Sequence, residues 1–189
     1  MNIDQLAKVV QSLAEEMQIL RAEAEIHRLQ VRYIFLCDTP CPEWGLEDNL
    51  ERIERILDLY TEDGVWEGIG AYLGDQFGRI VGKDALRKHF QNLWVKSDPA
   101  LLLNVTYLTS EQIHVRGDEA VGQWVQCQPW VFSDGSSLLR SSRLNNGFRR
   151  VNGEWKMSHT RTENVFVTPL SHGWAQDISE HSVIMRPSS

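Results

Sequence analysis

The chain is short of positive charge, of cysteine and of long apolar runs, and each shortage excludes something. Lys and Arg number 19 against 26 Asp and Glu, giving a formal net charge of -7 over 189 residues. Phosphate backbones and anionic lipids require clustered positive charge, so neither nucleic acid nor a membrane is an expected partner. No apolar run is long enough to cross a bilayer. The 3 Cys form an odd set, which suits a reducing compartment better than a disulfide framework. The opening Met1-Asn2-Ile3-Asp4-Gln5 has neither the basic nor the apolar stretch of a secretory signal, and a cytoplasmic protein is expected. There is no Gly-rich phosphate loop, no dinucleotide fingerprint, no helical His pair spaced for zinc and no nucleophile elbow. Cys37 and Cys41 flank Asp38, but a soft-metal site needs further ligands that the sequence does not supply. No cofactor and no metal are therefore expected.

What is present is the balance of a globular protein, 42% hydrophobic and 24% charged, with 7 Trp. Asn2 to Leu36 contains no Pro and no Gly and reads as one helix. Its apolar seam alternates spacings of three and four through Ile3, Leu6, Val10, Leu13, Met17, Leu20 and Ala24, with His27 where a Leu would fit, then Val31 and Ile34. Such a seam serves either an amphipathic helix lying on its own domain, the preferred reading, or a coiled-coil contact between subunits. Pro40 ends the helix near Asp38, because proline disfavours helix in the residue before it. Leu46 to Tyr60 reads as a second helix closed by Thr61-Glu62-Asp63-Gly64, and Asp84 to Val95 as a third. Short strands are expected at Val65–Ile69 and Arg79–Val81, with a Gly-marked loop between them.

The second half changes character. Leu101–Val115, Ala120–Phe132, Leu138–Val151 and Trp155–Val167 are rich in β-branched and aromatic residues. They are separated by turn sequences that include Asp134-Gly135 and Asn152-Gly153, which favour tight hairpins because these residues tolerate positive φ. Helices first and a meander second give an α+β class, a curved antiparallel sheet closed by three N-terminal helices with a cavity at its open end.

The residues then carry a resemblance. Ala24 to Tyr33, Asp38, Leu57 to Trp66, Gly82-Lys83-Asp84-Ala85-Leu86, Gly117-Asp118-Glu119-Ala120 and Asn152 to Met157 occur in the order and spacing of a SnoaL-like domain. This resemblance implies the nuclear transport factor 2-like superfamily and its cone, a cystatin-like α+β barrel. It divides the chain into a helical extension (1–23), the SnoaL-like domain (24–170) and a tail (171–189). The superfamily includes scytalone dehydratase, bile acid 7α-dehydratase, isomerases, cyclases and members that only bind or assemble.

Tyr33 and Asp38 resemble the Tyr and Asp of the dehydratase group, where the Tyr polarises an oxygen and the Asp belongs to the acid/base machinery. Strand alternation puts Trp155, Met157, His159, Arg161 and Glu163 on one face, with His159 a proton carrier and Arg161 a partner for a developing oxyanion. The His that catalytic relatives carry on the first long strand is missing: that region reads Asn104-Val105-Thr106-Tyr107-Leu108. His159 or His89 would have to substitute, and His89 reads as an exposed helix residue. Trp66, Asn104, Tyr107, Trp124 and Phe148 are the candidate substrate-binding residues, and Trp124 should share a face with Gln126, Gln128 and Trp130. The expected activity is a cofactor-free lyase, a dehydratase or retro-aldol type, on a small apolar, aromatic or polycyclic, hydroxylated substrate. An isomerase or cyclase, or a non-catalytic binding or assembly module, are the alternatives. A homo-oligomer, dimer or trimer, is expected.

Overall fold

The computed structural model describes residues 2–46, 48–70, 78–171 and 173–185. Among these, helices α1 (Ile3–Cys37) and α2 (Asn49–Asp58) precede strands β1 (Tyr60–Ile69) and β2 (Arg79–Val81). Helix α3 (Lys83–Trp94) follows, then β3 (Leu101–Asn104), β4 (Tyr107–Arg116), β5 (Glu119–Phe132), β6 (Ser137–Val151) and β7 (Glu154–Pro169). A last helix, α4 (Trp174–His181), lies in the tail and packs Trp174, Ala175 and Ile178 against Leu103 and Val131.

Local chemistry sets the helix ends. A capping box starts α1: the Asn2 side chain accepts from the Gln5 N–H, and the Gln5 side chain accepts from the Asn2 N–H. At the other end Asp38 is already extended, two residues ahead of Pro40. Asp48 caps α2 by accepting from the N–H groups of Leu50 and Glu51. The second helix is shorter than its sequence suggests. Residues 60–64 are not its closing turn but the start of β1, with Tyr60 opposite Met157. Gly64 is required there, because a Cβ would stand 2.8 Å from the Tyr60 ring.

The sheet runs β2-β1-β7-β6-β5-β3, with β4 also paired to β5. Neighbours are antiparallel except β1 and β7, which run parallel. The single strand expected over 101–115 is two, β3 and β4, broken at Val105-Thr106. The Asn-Gly turn is as expected: Asn152 and Gly153 both take positive φ, 52° and 86°. Two irregularities on β7 control which side chains reach the interior. Gly147 pairs with His159 but Phe148 pairs with Met157, so Ser158 is an extra residue. Val165 is bypassed in the same way between Phe166 and Asn164.

The curled sheet wraps one core. Ile26 and Leu36 of α1, Ile53, Ile56 and Leu57 of α2, Leu86 and Phe90 of α3, and Trp124, Phe148, Trp155 and Met157 of the sheet are all buried within it. Full burial of each aliphatic side chain is worth about 1.5–3 kcal/mol. The face of α1 that meets this core is Ala22, Ile26, Gln30 and Tyr33. Over residues 3–20 the heptad seam is not that face, and of its later members only Ile34 is buried. Ile3, Leu6, Val10, Leu13, Met17 and Leu20 are exposed, and the preferred reading of the seam as lying on its own domain is corrected.

Candidate functional site in the cone

A cavity of about 80 Å3 opens among α1, α3 and the inner face of the sheet. Alternation along β5 sends Gln126, Gln128 and Trp130 into it, and alternation along β6 sends Arg140 and Leu144. Tyr33 and Cys37 come from α1, and His89 and Trp94 from α3. Trp66 of β1 lies under His89, ring centroids 4.6 Å apart, and Phe90 stacks on Trp94. The Arg140 guanidinium lies over the Trp130 ring at 5.0 Å. The indole N–H groups of Trp94 and Trp130 are buried and have no acceptor among the described residues. Buried donors are normally satisfied, so these two suit a ligand with acceptor oxygens.

Asp38 stands just behind the wall. The break between β3 and β4 turns Thr106 toward it, and one carboxylate oxygen, Oδ1, accepts from the Thr106 N–H at 3.0 Å and hydroxyl at 2.7 Å. Thr106 lines the cavity, and its hydroxyl accepts from Gln128 Nε2 at 2.8 Å. A hydroxyl has one proton and two lone pairs. With Asp38 ionised, Thr106 gives its proton to the carboxylate and keeps one lone pair for a bound molecule; with Asp38 protonated, Thr106 accepts from it and turns its own proton to the cavity. Gln128 also donates to Asn104 Oδ1 at 3.2 Å, and Asn104 Nδ2 donates to the Cys37 carbonyl. Arg52 holds the helix end: its Nε donates to the Leu36 carbonyl at 2.6 Å and its Nη2 to the Asp38 carbonyl at 2.7 Å.

These surroundings move the titrations apart. Burial raises the Asp38 carboxyl to about 6, although the Thr106 donors and the Arg52 charge pull the other way. Burial lowers His89 to about 4, so its imidazole is neutral at pH 7. Burial also pushes the Cys37 thiol up to about 12 and the Tyr33 phenol well above its ordinary range, leaving both protonated.

The expected site residues divide accordingly. Tyr33, Trp66 and Asn104 line the cavity, and Asp38 reaches it through Thr106. Trp124 and Phe148 lie in the packed core, edge to face at 6.2 Å, and do not border the cavity. Trp124 donates its indole N–H to Glu111, away from the site. Tyr107 is 60% exposed and outside the cavity. His159 and Arg161 are also outside. The extra residue Ser158 reverses the alternation, so Trp155 and Met157 point inward with Thr160 and Thr162, while His159, Arg161 and Glu163 point outward. There His159 Nε2 is 3.2 Å from Glu67, and Arg161 donates to Glu163 at 2.9 Å. His159 borders a shallow outer hollow with His114 and Arg116 instead.

The sequence reading also missed residues. His89, read as exposed, is half-buried on the cavity wall. Arg140 was legible by counting back from Phe148 in twos through Asn146, Leu144 and Ser142, all buried with it. Thr106 gave no signal, since only the strand break aims it at Asp38. Among the described residues no cluster of His, Cys, Asp or Glu is arranged to hold a metal ion.

A cone of helices and curled sheet with a polar-aromatic cavity defines a class, the nuclear transport factor 2-like or cystatin-like fold. The SnoaL-like domain family matches residues 18–161, and the chain belongs to that family. None of the curated proteins matches it significantly. Among solved structures it is similar to a candidate aromatic ring hydroxylase from Novosphingobium aromaticivorans, with 21% identity, TM-score 0.65, and coverage of 80% of this chain and 94% of that one. It is also similar to the type 3 hexachlorocyclohexane dehydrochlorinase of Novosphingobium barchaimii, with 18% identity, TM-score 0.63, and coverage of 80% and 92%. A candidate scytalone dehydratase from N. aromaticivorans has 15% identity, TM-score 0.61, and coverage of 80% and 89%. At these identities the likeness fixes the fold, and the reaction has to be argued from the site.

Proposed function

We propose that this protein is a cofactor-free lyase that dehydrates a compact hydroxylated ring bearing a carbonyl or similar acceptor oxygen. The observation that carries this reading is geometric: His89 lines the same cavity as Thr106, whose hydroxyl is bonded to Asp38, and burial raises that acid to about 6 and lowers the imidazole to about 4. Groups whose titrations are pushed apart in this way suit opposite proton-transfer roles. His89 takes the proton from carbon beside the carbonyl, and the electron pair forms the new double bond as the neighbouring carbon–oxygen bond breaks. With Asp38 protonated, the carboxyl donates to Thr106 Oγ1 and frees the Thr106 proton; the departing hydroxyl takes that proton, Thr106 takes the one from Asp38, and water leaves. Tyr33 and the Arg140 cation support the carbonyl oxygen as it gains charge. His89 returns its proton to solvent and Asp38 recovers one. The dehydratase and dehydrochlorinase names among the similar structures describe eliminations too. A cavity of about 80 Å3 favours a single ring over a polycyclic substrate.

The test is mass spectrometry of hydroxylated cyclic ketones incubated with the protein, followed by the pH profile of any turnover. Loss of one water is expected, with activity falling as pH rises through about 6, where Asp38 ionises, and as it drops through about 4, where His89 protonates. Asp38→Asn and His89→Gln should each lower kcat at least about 100-fold. Full turnover in both variants, or a product of unchanged mass, refutes the assignment; unchanged mass would indicate an isomerase.

A further inference from the structure

Helix α1 carries more apolar surface than its own domain covers. From Ala22 on, one face is buried against the core, while the seam Ile3, Leu6, Val10, Leu13, Met17 and Leu20 faces away, from 47% exposed at Leu6 to 85% at Ile3. Helices in water owe most of their stability to packing an apolar face, so a striped helix projecting uncovered is an incomplete structure. We propose that a second copy of this chain covers the seam, forming a parallel, in-register, two-stranded coiled coil over residues 3–28.

Three features of the sequence and structure commit the seam to that occupant. First, Ile3, Val10 and Met17 take heptad positions a, two of the three β-branched, and Leu6, Leu13 and Leu20 take positions d. Branching at a with Leu at d is the pattern that favours parallel dimers. Second, the flanking charges fit one orientation. In a parallel pair each g residue faces the e residue of the next heptad on the other helix, which sets Glu16 against Arg21 of the partner subunit and Glu23 against Arg28 of the partner subunit. An antiparallel pair would set g against g and e against e, Glu facing Glu and Arg facing Arg. Third, every seam residue from Ile3 to Leu20 is exposed, so its own domain does not compete for this stretch. The coil ends where His27, at the next d position, is held 2.8 Å from Glu111 of its own sheet.

Sedimentation equilibrium of the full chain at micromolar concentration tests this, with twice the 21.8 kDa chain mass expected. Leu13→Asp with Leu20→Asp should return the single-chain mass while tryptophan fluorescence of the domain is unchanged. Glu16→Arg with Glu23→Arg should weaken the dimer at least tenfold, and adding Arg21→Glu with Arg28→Glu should restore it. That rescue holds even if the aspartate variant fails to fold. In a Leu6→Cys variant the two introduced thiols meet at one d layer, so oxidation should give a disulfide-linked dimer. A wild-type chain of single mass, or a dimer indifferent to the seam and charge variants, overturns the proposal. Failure of Leu6→Cys to cross-link overturns the parallel register.

Discussion

Asp38→Asn should make this protein more stable above pH 6, although it removes a side chain with two good hydrogen bonds. In the unfolded chain the carboxyl titrates at its ordinary value of 3.8, and in the folded protein burial lifts it to about 6. The folded state therefore binds its proton more tightly, and stability falls as pH rises between these values and levels off above the higher one. A rise of that size corresponds to about 3 kcal/mol. Asparagine keeps the shape and keeps an oxygen to accept from the Thr106 N–H and hydroxyl, at 3.0 and 2.7 Å in the wild type. It removes the ionisation and with it the penalty. The difference in unfolding free energy between variant and wild type should be small near pH 4 and grow to about 3 kcal/mol at pH 7 to 8. For a chain of this length that is about 6–12 °C in Tm. Urea unfolding of both proteins across this range measures it directly, since pH effects common to both cancel in the difference. A difference that stays flat with pH would show that Thr106 and Arg52 fully compensate the buried charge, and would refute the reasoning. A gain in stability alongside a loss of turnover would mark Asp38 as kept for chemistry at the expense of the fold.

Arg52→Met should destabilise by roughly 3 kcal/mol in chemical unfolding, because the Leu36 and Asp38 carbonyls would be left buried without their donors. Gly122→Ala should cost about 1–3 kcal/mol, since the new Cβ would meet the Trp124 ring at 2.2 Å and the ring has Phe148 behind it; unchanged Tm would refute the contact. The neutral His89 gives a slope of the opposite sign to Asp38. Its folded pKa is depressed from 6.5 to about 4, so stability is present above pH 6.5 and is lost as pH falls toward 4. His89→Gln should flatten that acid limb in a Tm-against-pH profile.

The sequence alone settled the class of this protein. Three helical stretches before residue 96, then alternating strands punctuated by Asp-Gly and Asn-Gly, require an α+β order, because these signals are local and each residue carries its own preference. The shared face of Trp124, Gln126, Gln128 and Trp130 followed from simple periodicity, while Tyr33 in the cavity was expected from the family resemblance alone. What periodicity lost, it lost at irregularities. Ser158 is one extra residue opposite Gly147 and Phe148, and a slip of one residue in a strand exchanges its two faces. That slip moved His159 and Arg161 outside, and only the pairing with β6 reveals it. The break at Val105-Thr106 likewise made Thr106 the partner of Asp38, where a continuous strand would have hidden it. The seam of α1 was fully legible as a seam. Which of two apolar faces the domain would bury was not, because both have helical spacing and the choice depends on where the sheet lies. Local preference fixed the elements; long-range register and the side of the helix facing the sheet decided which residues share the cavity.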